Sequence, residues 1–379
     1  MSLRRIFTSK FFIRPVVAAA IAFGLMRLVG SDVNSDLLMS TLCGSADIEV
    51  SDFYNRIHAG ITSKDLSDRY VIVNIDSVWQ RADLAELIGQ ISAGKPKAIG
   101  VDVIFAEPAD DSETDLFLGA RLDMTENIVV AQRYSDADAA PVPDVVSIQT
   151  PATPRGMANL TSTRRHGIVR EVTPFFGDSL QYPSLSAAML AIIDPDAYQR
   201  LRQRSGDELI RFSDKEFYVA EPAEIMTDPA ICTDKIVFVA TIAEEADLHS
   251  TPLDDEMPGV MIHLHSLEMM LNGSYVNPRS NIYNITLGAL ACLIMTLLYV
   301  YLDAAQNFVM RTLPIAWMFV ILFAGCAAFT YWGIYLNAPQ TMLMAALSLF
   351  VLDTWYAFEK PAKKACALLR RHLGQAARP

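Results

Sequence analysis

Four apolar runs, and where they fall, constrain this chain more than any other feature. One lies at about residues 15–30, and three crowd the last hundred, at 282–302, 312–334 and 339–357. Crossing a hydrocarbon core about 30 Å thick takes roughly 20 apolar residues of helix. The long stretch between the first run and the second holds no such segment. The pattern predicts one large domain held on one side of a membrane by four helices. Residues 1–14 form a cytoplasmic tail, 15–30 the first span, and 31–280 the displayed domain. Residues 282–302, 312–334 and 339–357 form three further spans, and 358–379 a basic cytoplasmic tail.

The basic residues set the orientation. Arg4, Arg5, Lys10 and Arg14 precede the first run, and Lys360, Lys363, Lys364, Arg370, Arg371 and Arg378 follow the last. Cytoplasmic flanks collect such residues, and four spans return both termini to one side. Arg311, in a short 303–311 loop, falls on that side too. The large domain then faces the periplasm or exterior of a bacterial inner membrane. The first run contains Arg27 and lacks a good small-x-small cleavage site after it, so it reads as a retained anchor rather than a removed signal peptide.

The overall formal charge of −12 hides an asymmetry. Residues 31–281 carry 40 acidic and 19 basic side chains, a net of −21. A domain this acidic repels the phosphate backbone, which excludes nucleic acid as a partner. It favours a cationic ligand, a metal or a basic partner. Of the five cysteines, Cys43 and Cys232 alone share the outward compartment, where disulfides persist; whether they pair stays open. Asp353, near the end of the last span, reads as an acid close to the interface.

Within the domain, Tyr70–Asp76, Ala98–Phe105, Ile128–Ala131 and Lys235–Thr241 are short β-branched runs typical of strands buried on both faces. Helical spacing covers 82–93, 113–122, 184–193 and 260–271, and most of 31–60. The stretch 134–166 reads as loop, and 208–212 with 216–220 as a hairpin. The sum is an α/β domain with a mostly parallel sheet.

Ligands gather at the carboxyl ends of such strands. If 70–76 and 98–105 are neighbours, Asp76 and Asp102 share one edge with Glu107 just beyond, and Asp247 and His249 reach it from the 235–241 strand. These five are the candidate ligand-binding residues. Asp76, Asp102 and Asp247 are the ligands of a divalent cation if one binds, and the group also suits amines and hydroxyls. Plainer roles stay open, with Asp76 capping a turn and Asp102 pairing with Arg81 or Arg170. No GxSxG, GxxxxGK[ST], HExxH or GxGxxG is present, so no catalytic residue is named. His263 and His265, two apart in a helical pattern, fall on different faces.

Several segments in order resemble one family. These are Asp52-Phe53-Tyr54-Asn55-Arg56, Val71–Asp76, Lys97–Pro108, Asp110-Asp111 with Asp115-Leu116, and Gly167–Arg170. Ile236–Thr241, Asp247–Leu253 and Met257–His263 complete the set. Over about residues 45–280 the chain resembles a CHASE domain of the second type, an extracellular sensory domain. The resemblance implies one N-terminal span, the sensory domain and commonly three further spans. It also implies a non-enzymatic sensor that signals to a cytoplasmic cyclase, kinase or phosphatase. Two departures stand out. The segment after the first Asp is shortened to Ser77–Arg81, and His265 replaces a small polar residue. Residues 360–379 are too few for an output domain, so a separate signalling effector or regulator is expected to read the state. A homodimer stays open. Rival readings are an outward metal-assisted hydrolase, and a structural subunit of an envelope complex whose spans pack through small residues such as Gly288.

Overall fold

The computed structural model describes residues 16–22, 24, 49–62, 66–78, 80–160, 167–278, 281–302, 307–338, 341–355, 357–358 and 361. Two compact units emerge, Ser51–Val276 and the remainder on either side of it.

The Ser51–Val276 unit is built on a six-stranded sheet. Its strands are β1 (Ser67–Asn74), β2 (Ala98–Val101), β3 (Ile128–Gln132), β4 (Arg155–Met157), β5 (Phe217–Ala220) and β6 (Ile236–Ala240). The order is β5-β1-β6-β2-β3-β4, and every neighbouring pair is parallel. A sheet with helices on both sides has no wet face, which is why its strands read as unbroken apolar runs. Successive residues still alternate between two cores. Tyr70 and Ile72 of β1 and Ile236 and Phe238 of β6 enter one. Val71, Val73, Val237 and Val239 enter the other.

Helices α2 (Arg81–Ala93) and α3 (Ser112–Met124) cover the second core with Leu84, Leu87, Ile88, Leu118 and Leu122. Helices α4 (Leu185–Ile193) and α6 (Gly259–Asn272) cover the first with Leu185, Met189, Val260, Leu264 and Leu267. Between these two lies α5 (Pro195–Arg202). Ser184 caps α4 by accepting from the Ala187 amide at 3.2 Å, as its place before the apolar run suggests. Gly100, in the middle of β2, leaves the room that the Met189 sulfur occupies.

The first helix, α1 (Val50–Ile61), is tied to the sheet by polar contacts. Arg170, 1 % exposed, grips Asp52 through Nε at 2.7 Å and Nη2 at 2.8 Å. Asn55 accepts from the Phe212 amide at 3.1 Å, and Arg56 donates to the Pro252 carbonyl at 2.8 Å.

Several expectations need correction. β6 lies between β1 and β2, so the strands bearing Asp76 and Asp102 are not neighbours. The chain leaves one sheet position open between β1 and β2, and a strand 135 residues later fills it; local pattern carries no trace of that insertion. β2 ends at Val101, which places Asp102 just past the strand rather than inside it. The 216–220 segment is no hairpin arm but edge strand β5, while Glu208–Leu209 pairs antiparallel with Glu171–Val172. The 134–166 loop contains β4, a two-residue hairpin pairing and a helical turn at Val145–Gln149. Of the helix expected over 31–60, residues 31–48 lie outside the described residues.

The second unit is helical. Its elements are α7 (Asn281–Leu302), α8 (Asn307–Trp332), helical residues at 16–22 and 341–355, and a short parallel pairing of Asn277–Pro278 with Ile334–Tyr335. Arg311 lies inside α8, not in a loop. A Cβ at Gly288 would stand 2.7 Å from the Met344 sulfur, so the small residue there does permit close helix approach. The Tyr299 hydroxyl donates to Asp353 at 2.5 Å. Among the described residues, no helix is long and apolar enough to cross a membrane.

Candidate functional site

The carboxyl ends of β1, β6 and β2 open onto a cleft of about 530 Å³. Asp102, Asp247 and His263 line it, with Arg81, Glu244 and Phe105 among the other walls.

Asp102 continues the ladder for one residue, its amide donating to the Val239 carbonyl at 2.9 Å. The side chain leaves the sheet at that point and is 11 % exposed. Its carboxylate accepts no hydrogen bond from the described residues. The Nε2 of His263 stands 4.0 Å from its Oδ2. Burial pushes the carboxyl above its usual range. His263 opposes this, the Asp247 charge adds to it, and His249 opposes it again. Neither arginine considered as a partner serves Asp102. Arg81 pairs with Asp115 and lies 5.4 Å from the Phe105 ring centre, and Arg170 is held by Asp52.

Asp247 ends a short turn after β6 and leads into a two-stranded hairpin, β7 (Leu248–His249) with β8 (Met257–Pro258). Helix α6 begins directly after β8. The Asp247 carboxylate rests on its first residue, because a Cβ at Gly259 would fall 2.5 Å from Oδ1 and 2.9 Å from Oδ2. The first turn of a helix has unpaired amides and a partial positive charge, which favours a carboxylate there. His249 Nε2 approaches the same carboxylate at 3.4 Å. Gly259→Ala is expected to push Asp247 off the helix and lower stability by about 1–3 kcal/mol. Adding Asp247→Ala should recover most of that loss. Unfolding of the full chain reads both, and equal losses in the single and double variants would refute the steric account.

Asp76 and Glu107 do other work. Asp76 Oδ1 accepts from the Ile242 and Ala243 amides at 3.1 and 3.4 Å, fastening the loop after β6. That is the turn-capping role, made possible because β6 is the neighbour of β1. Glu107 is exposed, and it is its main-chain carbonyl that Arg81 holds. Asp102, Asp247 and His249 therefore converge, while Asp76 and Glu107 do not join them. Among the described residues no group of three or more His, Cys, Asp or Glu is arranged to hold a metal ion.

His263 is a further residue of the cleft, beyond the five that the strand ends predict. It is 2 % exposed, lines the cleft, and its Nδ1 has no partner among the described residues. The signal was its place near the start of α6, just after the strand-edge loop. His265 faces elsewhere, between the rings of Phe212 and Phe217 at 5.4 and 5.3 Å, so its departure from the family pattern does not touch the cleft. The shortened 77–81 segment does, since Val78, Gln80 and Arg81 form one wall. Cys232 is a free, fully buried thiol, and Cys43 lies outside the described residues.

The family model described as CHASE2 domain matches residues 20–302. That span exceeds the 45–280 of the resemblance at both ends and runs through α7. No curated protein and no solved structure matches the chain.

Proposed function

The chain belongs to the CHASE2 family of extracytoplasmic sensory domains, and from that premise we propose that the cleft is its sensory site. Ligand binding there is relayed through membrane helices to a separate effector. The observation that carries this reading is Asp102, a carboxylate at the sheet edge that is 11 % exposed and accepts no hydrogen bond from the described residues. Leaving a buried charge unsatisfied is costly. A site that binds something to meet it gives the residue a purpose.

The hairpin β7–β8 supports the relay. The Ser250 carbonyl, just beyond His249, accepts from the Val169 amide at 2.8 Å, next to Arg170 and its clasp on Asp52 of α1. The Pro252 carbonyl holds Arg56 of α1. At its other end the hairpin runs directly into α6, whose chain continues past Gly273, in a left-handed turn at φ 60°, towards α7. Both chain exits of the domain thus hang on the loop that carries Asp247 and His249. A ligand shifts such an arrangement only by its differential affinity for two states.

The membrane topology is part of the proposal. It rests on the four apolar runs, the basic flanks and the absence of any acidic or basic residue between Asn281 and Leu302. Both termini are cytoplasmic in this reading, with the Ser51–Val276 unit outside.

Full-length protein purified from native membranes in mild detergent, as wild type and Asp102→Asn, tests the relay. A cyclase, kinase or regulator should accompany the wild type, in an amount that changes in the variant. Recovery of envelope-assembly proteins alone, or of nothing, would overturn the effector reading and favour a structural subunit.

A further inference from the structure

We propose that the cleft recognises a small organic amine, with the ammonium head taken by Asp102 and the carbon chain lying against the apolar wall. The inference rests on the reading of the cleft as the sensory site and names the chemistry that the site selects.

Three observations carry it. The first is the set of unmet groups: among the described residues, Asp102 has two acceptor oxygens and no donor, and His263 beside it is buried with Nδ1 unpartnered. An ammonium offers three donors and the charge that a buried carboxylate lacks. The second is the charge of the walls. Asp247 and Glu244 add acid, whereas the single arginine of the wall, Arg81, is already paired with Asp115. An anionic ligand would meet three carboxylates and no unpaired guanidinium. The third is shape. The volume of about 530 Å³ is far more than a bare cation fills and lies in the range of small-molecule sites. Ile75, Leu84, Val103 and Phe105 give it an apolar side for an aliphatic body. The strong negative charge of residues 31–281 also draws cations towards the domain.

A bare divalent cation fits less well. Asp76 is committed to backbone amides, and the described residues hold no cluster of three ligands for a metal.

Binding should depend on pH. Asp102 is faced by His263 from α6, by Asp247 and His249 from the hairpin, by Glu244 from the loop after β6 and by the paired Arg81 from α2. An ammonium needs Asp102 ionised, and burial holds that carboxyl above its usual range, so the condition improves as pH rises. Affinity should therefore increase as pH rises.

The test uses the full-length chain in detergent and three probes of matched length: 1,4-diaminobutane, 1,4-butanediol and succinate. Titration calorimetry and melting temperature read binding. Diaminobutane alone should bind, more tightly at higher pH, and Asp102→Asn should weaken it by about tenfold or more. Asp247→Asn, changed at a half-exposed carboxylate, should weaken it as well and serves if Asp102→Asn fails to fold. Succinate or butanediol binding that these variants abolish would overturn the amine while leaving the cleft as the sensory site. Absence of diamine binding, or binding that both variants and pH leave unchanged, would overturn the inference outright.

Discussion

Asp52→Ala is expected to destabilise the Ser51–Val276 unit by about 3–5 kcal/mol, the largest loss from any single polar substitution in it. The reason is the partner left behind. Arg170 is 1 % exposed and Asp52 6 %, and two hydrogen bonds of 2.7 and 2.8 Å join them. Removing the carboxylate takes two charge-assisted hydrogen bonds from a guanidinium that is 1 % exposed. Arg170→Met with Asp52 retained should cost a comparable amount, because it takes the same two bonds from the buried carboxylate. The double variant Asp52→Leu with Arg170→Met should recover most of the stability, since a buried pair barely exceeds a well-packed apolar replacement. Urea unfolding of the full chain gives the four values of the cycle. Single losses below about 1 kcal/mol would place the pair among the weak surface bridges instead. The double variant has a second use. It would keep the fold while removing the clasp between α1 and the Val169–Arg170 segment, so any ligand response it loses belongs to the relay.

That clasp also shows what the sequence could and could not reveal. Asp52 and Arg170 were both visible as parts of family-like segments, yet 118 residues separate them and nothing local pairs them. The strands were legible because burial on both faces leaves unbroken β-branched runs, as in Val71–Val73 and Ile236–Val239. Their order was not, because β6 enters the sheet between β1 and β2 from a distant point in the chain. The candidate site was legible to the extent that it depends on strand ends. Asp102 and Asp247 meet there because parallel strands bring their carboxyl ends to one edge. Asp76 takes the turn-capping role for the same topological reason, its carboxylate accepting from the loop of the strand inserted beside it. His263 is less legible, because helical spacing shows only that it and His265 lie on different faces. Each in fact answers to a different layer, His263 to the cleft and His265 to the core.

The chain should lose stability steeply in mild acid, and His265 and His58 should account for much of the loss. Burial, then the charge of Lys215, lowers His265 to about 4 from its ordinary 6.5. Burial, then the charge of Arg211, lowers His58 on α1 to about 4 as well. Between those values the unfolded chain binds protons that the folded chain refuses, so stability falls as pH drops through that window. Each histidine should remove about 2 kcal/mol by about pH 5, and about 3 kcal/mol once its titration is complete. Asp102 acts in the opposite sense, because a carboxyl raised by burial takes up its proton first in the folded state. The difference between variants isolates each histidine from that background. His265→Gln lowers stability at neutral pH through lost packing between Phe212 and Phe217, but its urea midpoint should then vary less with pH than that of the wild type. A wild type and a variant whose midpoints fall in parallel from about pH 7 to about pH 5 would show that His265 is protonated at little cost. Its place between the two rings would then have to open to water.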